Sequence, residues 1–147
     1  PKVASYPFTT LHPMIGTLIF KDFSQIKVAD IPGLIDGAAM GVGLGHEFLR
    51  HIERTRLLVF IIDMAGTDGR NPADDFENLR GELKAYNEKL PSRRYLVVAN
   101  KMDAPDSPDL LKEFIDRTGE APMEMAAEIG EGLEPLKPAL HDSLRVA

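Results

Sequence analysis

The 147 residues contain no cysteine, which excludes disulfides, thiolate catalysis and cysteine-type zinc sites together. No apolar run approaches the roughly 20 residues that cross a bilayer. The longest, Leu57–Asp63 (LLVFIID), is strand-sized, so no membrane span is expected. No signal peptide opens the chain, and no repeat or low-complexity tract interrupts it. Positive charge is in short supply: 17 lysines and arginines stand against 23 acids, for a net charge of −6. That balance excludes nucleic-acid binding by bulk electrostatics, and direct DNA binding with it, while leaving room for a local basic patch. A reducing, cytoplasmic setting is the expectation that fits these absences. Nor is there an initiating methionine: Pro1 stands first, and the expectation is a chain that begins inside a longer protein.

What is present is an ordinary globular balance, with 44% hydrophobic and 27% charged residues in a length that suits one domain. Apolar runs alternate with longer helix-like stretches, which predicts an α/β fold with a mostly parallel sheet. Ile15–Phe20 and Gln25–Asp30 read as two strands separated only by Lys21–Ser24, too short for a crossover, so they are expected to pair antiparallel. A glycine-rich stretch, Gly33–Gly45, reads as a loop, and His46–Thr55 as a helix with Phe48, Leu49 and Ile52 on one face. Leu57–Asp63 and Tyr95–Ala99 read as buried strands. Asn71-Pro72 opens a helix expected from Ala73 to about Lys89, with Phe76, Leu79, Leu83 and Tyr86 on one side. Ser107-Pro108 opens another, Pro122–Met125 reads as a short strand, and Leu133–Leu144 as the closing helix.

Three short motifs carry chemistry. Asn100-Lys101-Met102-Asp103 follows directly on the strand Tyr95–Ala99. A carboxylate there can accept two hydrogen bonds, from N1–H and the 2-amino group of guanine, a pair that adenine does not offer. Asn100 can bond the base edge and tie neighbouring loops, and the Lys101 stem can lie over the ring. The plainer reading is a polar strand-to-helix turn capped by Asp103. Asp30-Ile31-Pro32-Gly33 ends a strand with the DxxG pattern, in which an aspartate can hold a magnesium-bound water and a glycine lets a backbone N–H approach a terminal phosphate. An ordinary turn is the alternative. Upstream, Tyr6-Pro7-Phe8-Thr9-Thr10-Leu11 offers a threonine hydroxyl for magnesium, or else a polar extended lead into the first strand.

Taken in order, SYPFTTLHPMIG, DIPGLIDGAAMGVGLGHEFLRHIERT, NKMD and EIGEGLEPL resemble the Obg family of translation-factor-related GTPases, over essentially the whole chain. DIPGLIDGA followed by GLGHEFLRHIERT is the most specific part, because generic nucleotide binding does not demand it. The resemblance implies a P-loop GTPase-like three-layer sandwich with one antiparallel edge hairpin. It implies that Thr10 is the switch I ligand of Mg2+ within a segment lined by Phe8, Thr9, Leu11 and His12. Asp30, Ile31, Pro32 and Gly33 would begin switch II, with Asp30 reaching Mg2+ through water. Asn100, Lys101, Met102 and Asp103 would read guanine. The fifth motif, Ser-Ala in the family, falls on Ala126-Ala127 ahead of Gly130-Glu131-Gly132-Leu133, so a supporting serine hydroxyl is replaced by Ala126 while the Ala127 N–H remains to meet guanine O6. Leu34 stands where many small GTPases place a water-orienting glutamine, so slow turnover is implied, and no residue is assigned as catalytic. His46, Glu47, His51 and Arg54 are polar neighbours better read as solvent-facing helix residues.

One further absence bears on all of this. No GxxxxGK[ST] occurs in the sequence, and with it go the backbone cradle, the phosphate lysine and a magnesium hydroxyl. The resemblance puts that loop just upstream of Pro1 and its strand centrally in the sheet. Residues 1–147 are therefore expected to form a partial Obg-type G domain, from switch I through the closing helix, with two facing sheet edges and an apolar gap. Two functions stay open: a GTPase that binds GTP and GDP and acts as a switch in large ribosomal subunit assembly, or a non-catalytic truncated G domain that serves as a protein or ribosome interaction module.

Overall fold

The computed structural model describes residues 14–30, 50 and 52–146. Within them lie two sheets. β1 (Met14–Ile19) and β2 (Gln25–Asp30) pair antiparallel, with Ile15 opposite Ala29 and Leu18 opposite Ile26. β3 (Leu58–Asp63), β4 (Tyr95–Asn100) and β5 (Met123–Glu124) form a parallel sheet in that order. The antiparallel hairpin and the parallel sheet agree with the sequence-based expectations, and strand limits differ from them by a residue or two.

Parallel neighbours need a crossover, and the two helices α1 (Pro72–Tyr86) and α2 (Ser107–Thr118) supply it. Asn71 starts α1 by accepting from the Ala73 and Asp74 N–H groups at 2.9 and 3.2 Å, with Pro72 in the first turn, where a missing N–H does no harm. Asn71→Ala is expected to destabilise the fold by about 1 kcal/mol in urea unfolding. The helix ends at Tyr86 and not near Lys89. Asn87 turns extended, and its side chain accepts from the Lys89 N–H at 2.9 Å, a local bond that competes with another helical turn. The closing helix α3 (Leu136–Val146) likewise starts later than Leu133, because Pro135 disfavours helical geometry at Glu134.

Alternation along β3 decides which face is covered. Phe60 and Ile62 are buried and meet Val97 and Ala99 of β4, together with Ala73, Phe76 and Leu83 of α1 and Phe114 of α2. Four aromatic rings run edge-to-face through this core, with Phe60–Phe76, Phe60–Tyr95 and Phe76–Phe114 centroids at 5.4, 5.6 and 5.4 Å. The opposite face of β3 differs: Val59 and Ile61 are exposed, Ile61 by 57%. No described strand pairs with the free edge of β3, so an apolar edge faces outward there, in keeping with the expected gap.

Of the helix expected over His46–Thr55, Arg50 and residues 52–54 are described, and these are helical; Gly33–Gly45 lies outside the described residues. The exit of that helix is held firmly. Ile52 is 1% exposed, Arg93 Nη1 donates to the Ile52 and Glu53 carbonyls at 2.8 Å each, and Tyr86 and Asn87 donate to the Glu53 carboxylate.

Candidate functional site

The carboxyl ends of β3, β4 and β5 lie side by side, where parallel sheets place their binding residues. Asn100 is the last residue of β4. The chain then turns through Lys101 at φ 65°, a left-handed conformation that a lysine adopts only when its surroundings hold it there. Those surroundings are explicit. The Met102 N–H donates to the Met125 carbonyl at 3.1 Å, and Ala104 N–H to the Lys101 carbonyl at 3.0 Å. The fully buried Ser107 hydroxyl sits 2.8 Å from the Met102 carbonyl and 2.7 Å from that of Ala104. Asp103, at the crest of this turn, is exposed, and its carboxylate has no hydrogen-bond or ion-pair partner among the described residues. Its two oxygens form an exposed acceptor pair.

The second half of the site is the loop after β5. Ala126 and Glu131 exchange backbone hydrogen bonds at 2.9 and 3.1 Å, a bridge that closes the loop on itself. The Ala127 N–H, the group expected to reach guanine O6, donates to Asn100 Oδ1 at 3.0 Å. That bond ties the loop to the NKMD turn, and meeting O6 would mean sharing its hydrogen between two acceptors. Gly132 closes the loop at φ 77°, and a Cβ there would fall 2.5 Å from the Glu124 carbonyl oxygen and 2.9 Å from Met125 Cα.

The third contribution comes from β3. Asp63, opposite Asn100 in register, accepts from Lys101 Nζ, Ala65 N–H and Thr67 Oγ1, all at 2.8 Å. Partial burial pushes its carboxyl up, but the bonds from Lys101, Ala65 and Thr67 outweigh that and leave it below the ordinary 3.8. The bond to Asp63 in turn raises the Lys101 ammonium above its ordinary value. A lowered acid contributes fully above its unfolded pKa and loses that contribution as pH falls through the folded one; a raised base behaves in the opposite sense. The pair is therefore intact from weakly acidic to weakly alkaline pH.

Asn100, Lys101, Met102, Asp103, Ala126 and Ala127 are thus brought together. Phe8, Thr9, Thr10, Leu11 and His12, with Ile31, Pro32 and Gly33, lie outside the described residues, as do Leu34, His46, Glu47 and His51. Asp30 is placed by its backbone alone, at the end of β2. Among the described residues no group of three histidines, cysteines or acids is set to hold a metal ion, and no helix is long and apolar enough to cross a membrane. Asp63 belongs to none of the motifs; its sequence signal was an acid ending an otherwise apolar strand, while Ser107 was read as a helix start and Gly132 as part of a turn, neither with a role at this end.

Comparison with known proteins gives the family. The family model described as 50S ribosome-binding GTPase matches residues 1–101. The chain is 47% identical to the GTPase Obg of Symbiobacterium thermophilum and 50% to that of Herpetosiphon aurantiacus, over 99% of its own length in each. It is 51% identical to that of Protochlamydia amoebophila over 92% of its length. It spans 35%, 34% and 41% of those relatives, so about a third of a typical one. Among solved structures, Era in complex with MgGDPNP and a segment of 16S ribosomal RNA matches 90% of the chain and 44% of its own at a TM-score of 0.62 and 22% identity, a likeness of fold. The Aquifex aeolicus Era bound to GDP and aluminium fluoride has the same score at 23%. With the family model covering more than half of its residues, the chain belongs to the 50S ribosome-binding GTPases, and nearly all of it is similar to GTPase Obg.

Proposed function

We propose that this chain is the base-reading and switch portion of an enzyme that binds GTP, hydrolyses it to GDP, and acts as a switch in assembly of the large ribosomal subunit. The observation that carries the proposal is the assembled base end: an exposed, unpartnered Asp103 on a turn bonded to the Ala126–Gly132 loop through Asn100 and Ala127. Asp103 would accept from N1–H and the 2-amino group of guanine, and Asn100 would keep the two loops in register. The ribosomal role is supported by the family's description as 50S ribosome-binding, and a cytoplasmic location goes with it.

Residues 1–147 would be a partial G domain, running from switch I through the closing helix. A strand and phosphate loop elsewhere in the same polypeptide would add beside the bare edge of β3 and cover Val59 and Ile61. Thr10, and Asp30 through water, would hold Mg2+, which when bound offsets negative charge on the β- and γ-phosphates. Leu34 offers no hydrogen bond to an attacking water, so turnover by the unassisted protein is expected to be slow.

The test is a titration with fluorescent GTP of two polypeptides, this chain alone and the same chain with a phosphate loop restored. The chain alone is expected to bind no more tightly than micromolar, since phosphate contacts supply much of the affinity, and the restored protein far more tightly. Submicromolar binding by the 147 residues alone would refute the division of labour. Failure of both to bind would favour the interaction-module alternative.

A further inference from the structure

Asp63 lies outside every motif discussed above, yet it is the most fully engaged carboxylate at the base end. Its Oδ1 takes the Ala65 N–H and its Oδ2 takes the Thr67 hydroxyl, so the plane of the carboxylate is set by its own loop, independently of Lys101. The Lys101 ammonium then docks on Oδ2 at 2.8 Å. The ordinary fate of such a pair is to contribute little. Its side chains are 45% and 31% exposed, and solvent-accessible ion pairs of this kind are weak. What sets this one apart is where the lysine stands. Lys101 has a left-handed backbone, its carbonyl accepts from Ala104, and the ammonium at the end of its long flexible stem is held chiefly by the Asp63 oxygen at 2.8 Å, with the Thr67 hydroxyl, itself bonded to Asp63, farther off at 3.5 Å. A stem tethered at both ends runs along a single line; an untethered one samples many rotamers.

We propose that Asp63 is a positioning residue for nucleotide binding: by anchoring the Lys101 ammonium on β3 it stretches the lysine stem into the platform on which the purine ring rests. The inference rests on the guanine-reading function proposed above. A platform touches the ring's face and not its hydrogen-bonding edge. Asp63 would therefore govern affinity for purine nucleotides as a class, while Asp103 governs which purine is chosen.

This separation makes the two ideas distinguishable. In the polypeptide that carries this chain with its phosphate loop, dissociation constants for GDP, IDP and XDP are measured for the wild type, Asp63→Asn, Lys101→Ala, the double variant and Asp103→Asn. Asp63→Asn keeps the shape of the side chain and an acceptor oxygen but removes the charge that holds the ammonium. It is expected to weaken GDP, IDP and XDP by the same factor, about fivefold to tenfold, with an unchanged melting temperature. Lys101→Ala should abolish the effect, so that the double variant binds no worse than Lys101→Ala alone. Equal affinities for wild type and Asp63→Asn, tighter binding by Asp63→Asn, or additive losses in the double variant would each overturn the proposal. A change in the GDP-to-XDP ratio on Asp63→Asn would do so too, since it would place Asp63 at the base edge. If Asp103→Asn leaves that ratio unaltered, the guanine reading itself fails; if it shifts the ratio while Asp63→Asn does nothing, only the positioning role falls.

Discussion

Asp103→Asn, made in the phosphate-loop-containing polypeptide, is expected to lower GDP affinity roughly a hundredfold or more and to raise XDP affinity. Each hydrogen bond to a charged acceptor is worth about 1.5–3 kcal/mol, and about 1.4 kcal/mol corresponds to a factor of ten. Guanine presents two donors to the Asp103 carboxylate. Asparagine keeps one acceptor and sets an amide N–H against the other donor, so the loss is larger than one missing bond. Xanthine carries an oxygen where guanine has its 2-amino group, and that oxygen can accept from the new amide. The fold has no stake in the exchange, because the Asp103 carboxylate has no partner among the described residues and is exposed. A thermal melt alongside competition binding with GDP and XDP reads both quantities. An unchanged preference between the two nucleotides would remove Asp103 from its assigned role.

The second large effect is expected at Gly132. An alanine there meets two obstacles at once: a backbone at φ 77°, which L-residues with a Cβ adopt at about 1–2 kcal/mol, and a backbone carbonyl 2.5 Å from the new atom. The obstructing atoms belong to Glu124 and Met125, and the Met125 N–H donates to the Ala99 carbonyl at 2.8 Å, so they cannot move aside without disturbing β4. Gly132→Ala should therefore cost about 2–4 kcal/mol in urea unfolding, from the left-handed strain and the overpacking together. It should also loosen the Ala126–Glu131 bridge and with it guanine-nucleotide binding. Gly130→Ala is the control. It has the same φ of 77° but open space where its Cβ would go, and it should lose only the strain part. Equal effects of the two substitutions would show that contact with Glu124 does not matter.

The parts of this molecule that could be read from sequence are those encoded by neighbours in the chain. LLVFIID and YLVVA are strands because uninterrupted apolar runs of that length suit burial in a parallel sheet, and Asn71-Pro72 starts a helix by a bond to its own next turn. Helix ends were harder, since Asn87 and Pro135 act through bonds and backbone limits that override the hydrophobic period. The NKMD turn was legible as a motif, but the contacts that shape it were not. Lys101 meets Asp63, and Asn100 meets Ala127, across stretches of chain that no local pattern links. The Ala127 N–H bond to Asn100 was out of reach of the sequence for the same reason. Gly132 read as an ordinary turn glycine because a close approach by Glu124 leaves no trace in the letters around it.

The clamp at Ile52 and Glu53 has a mechanical meaning. Arg93 grips two carbonyls at the exit of that helix, and Tyr86 and Asn87 hold the Glu53 side chain, all from the rigid side of the main core. The chain that leaves this helix therefore has a fixed address: it is moored to the same core that carries β4 and α1, and displacing it means breaking several bonds at once.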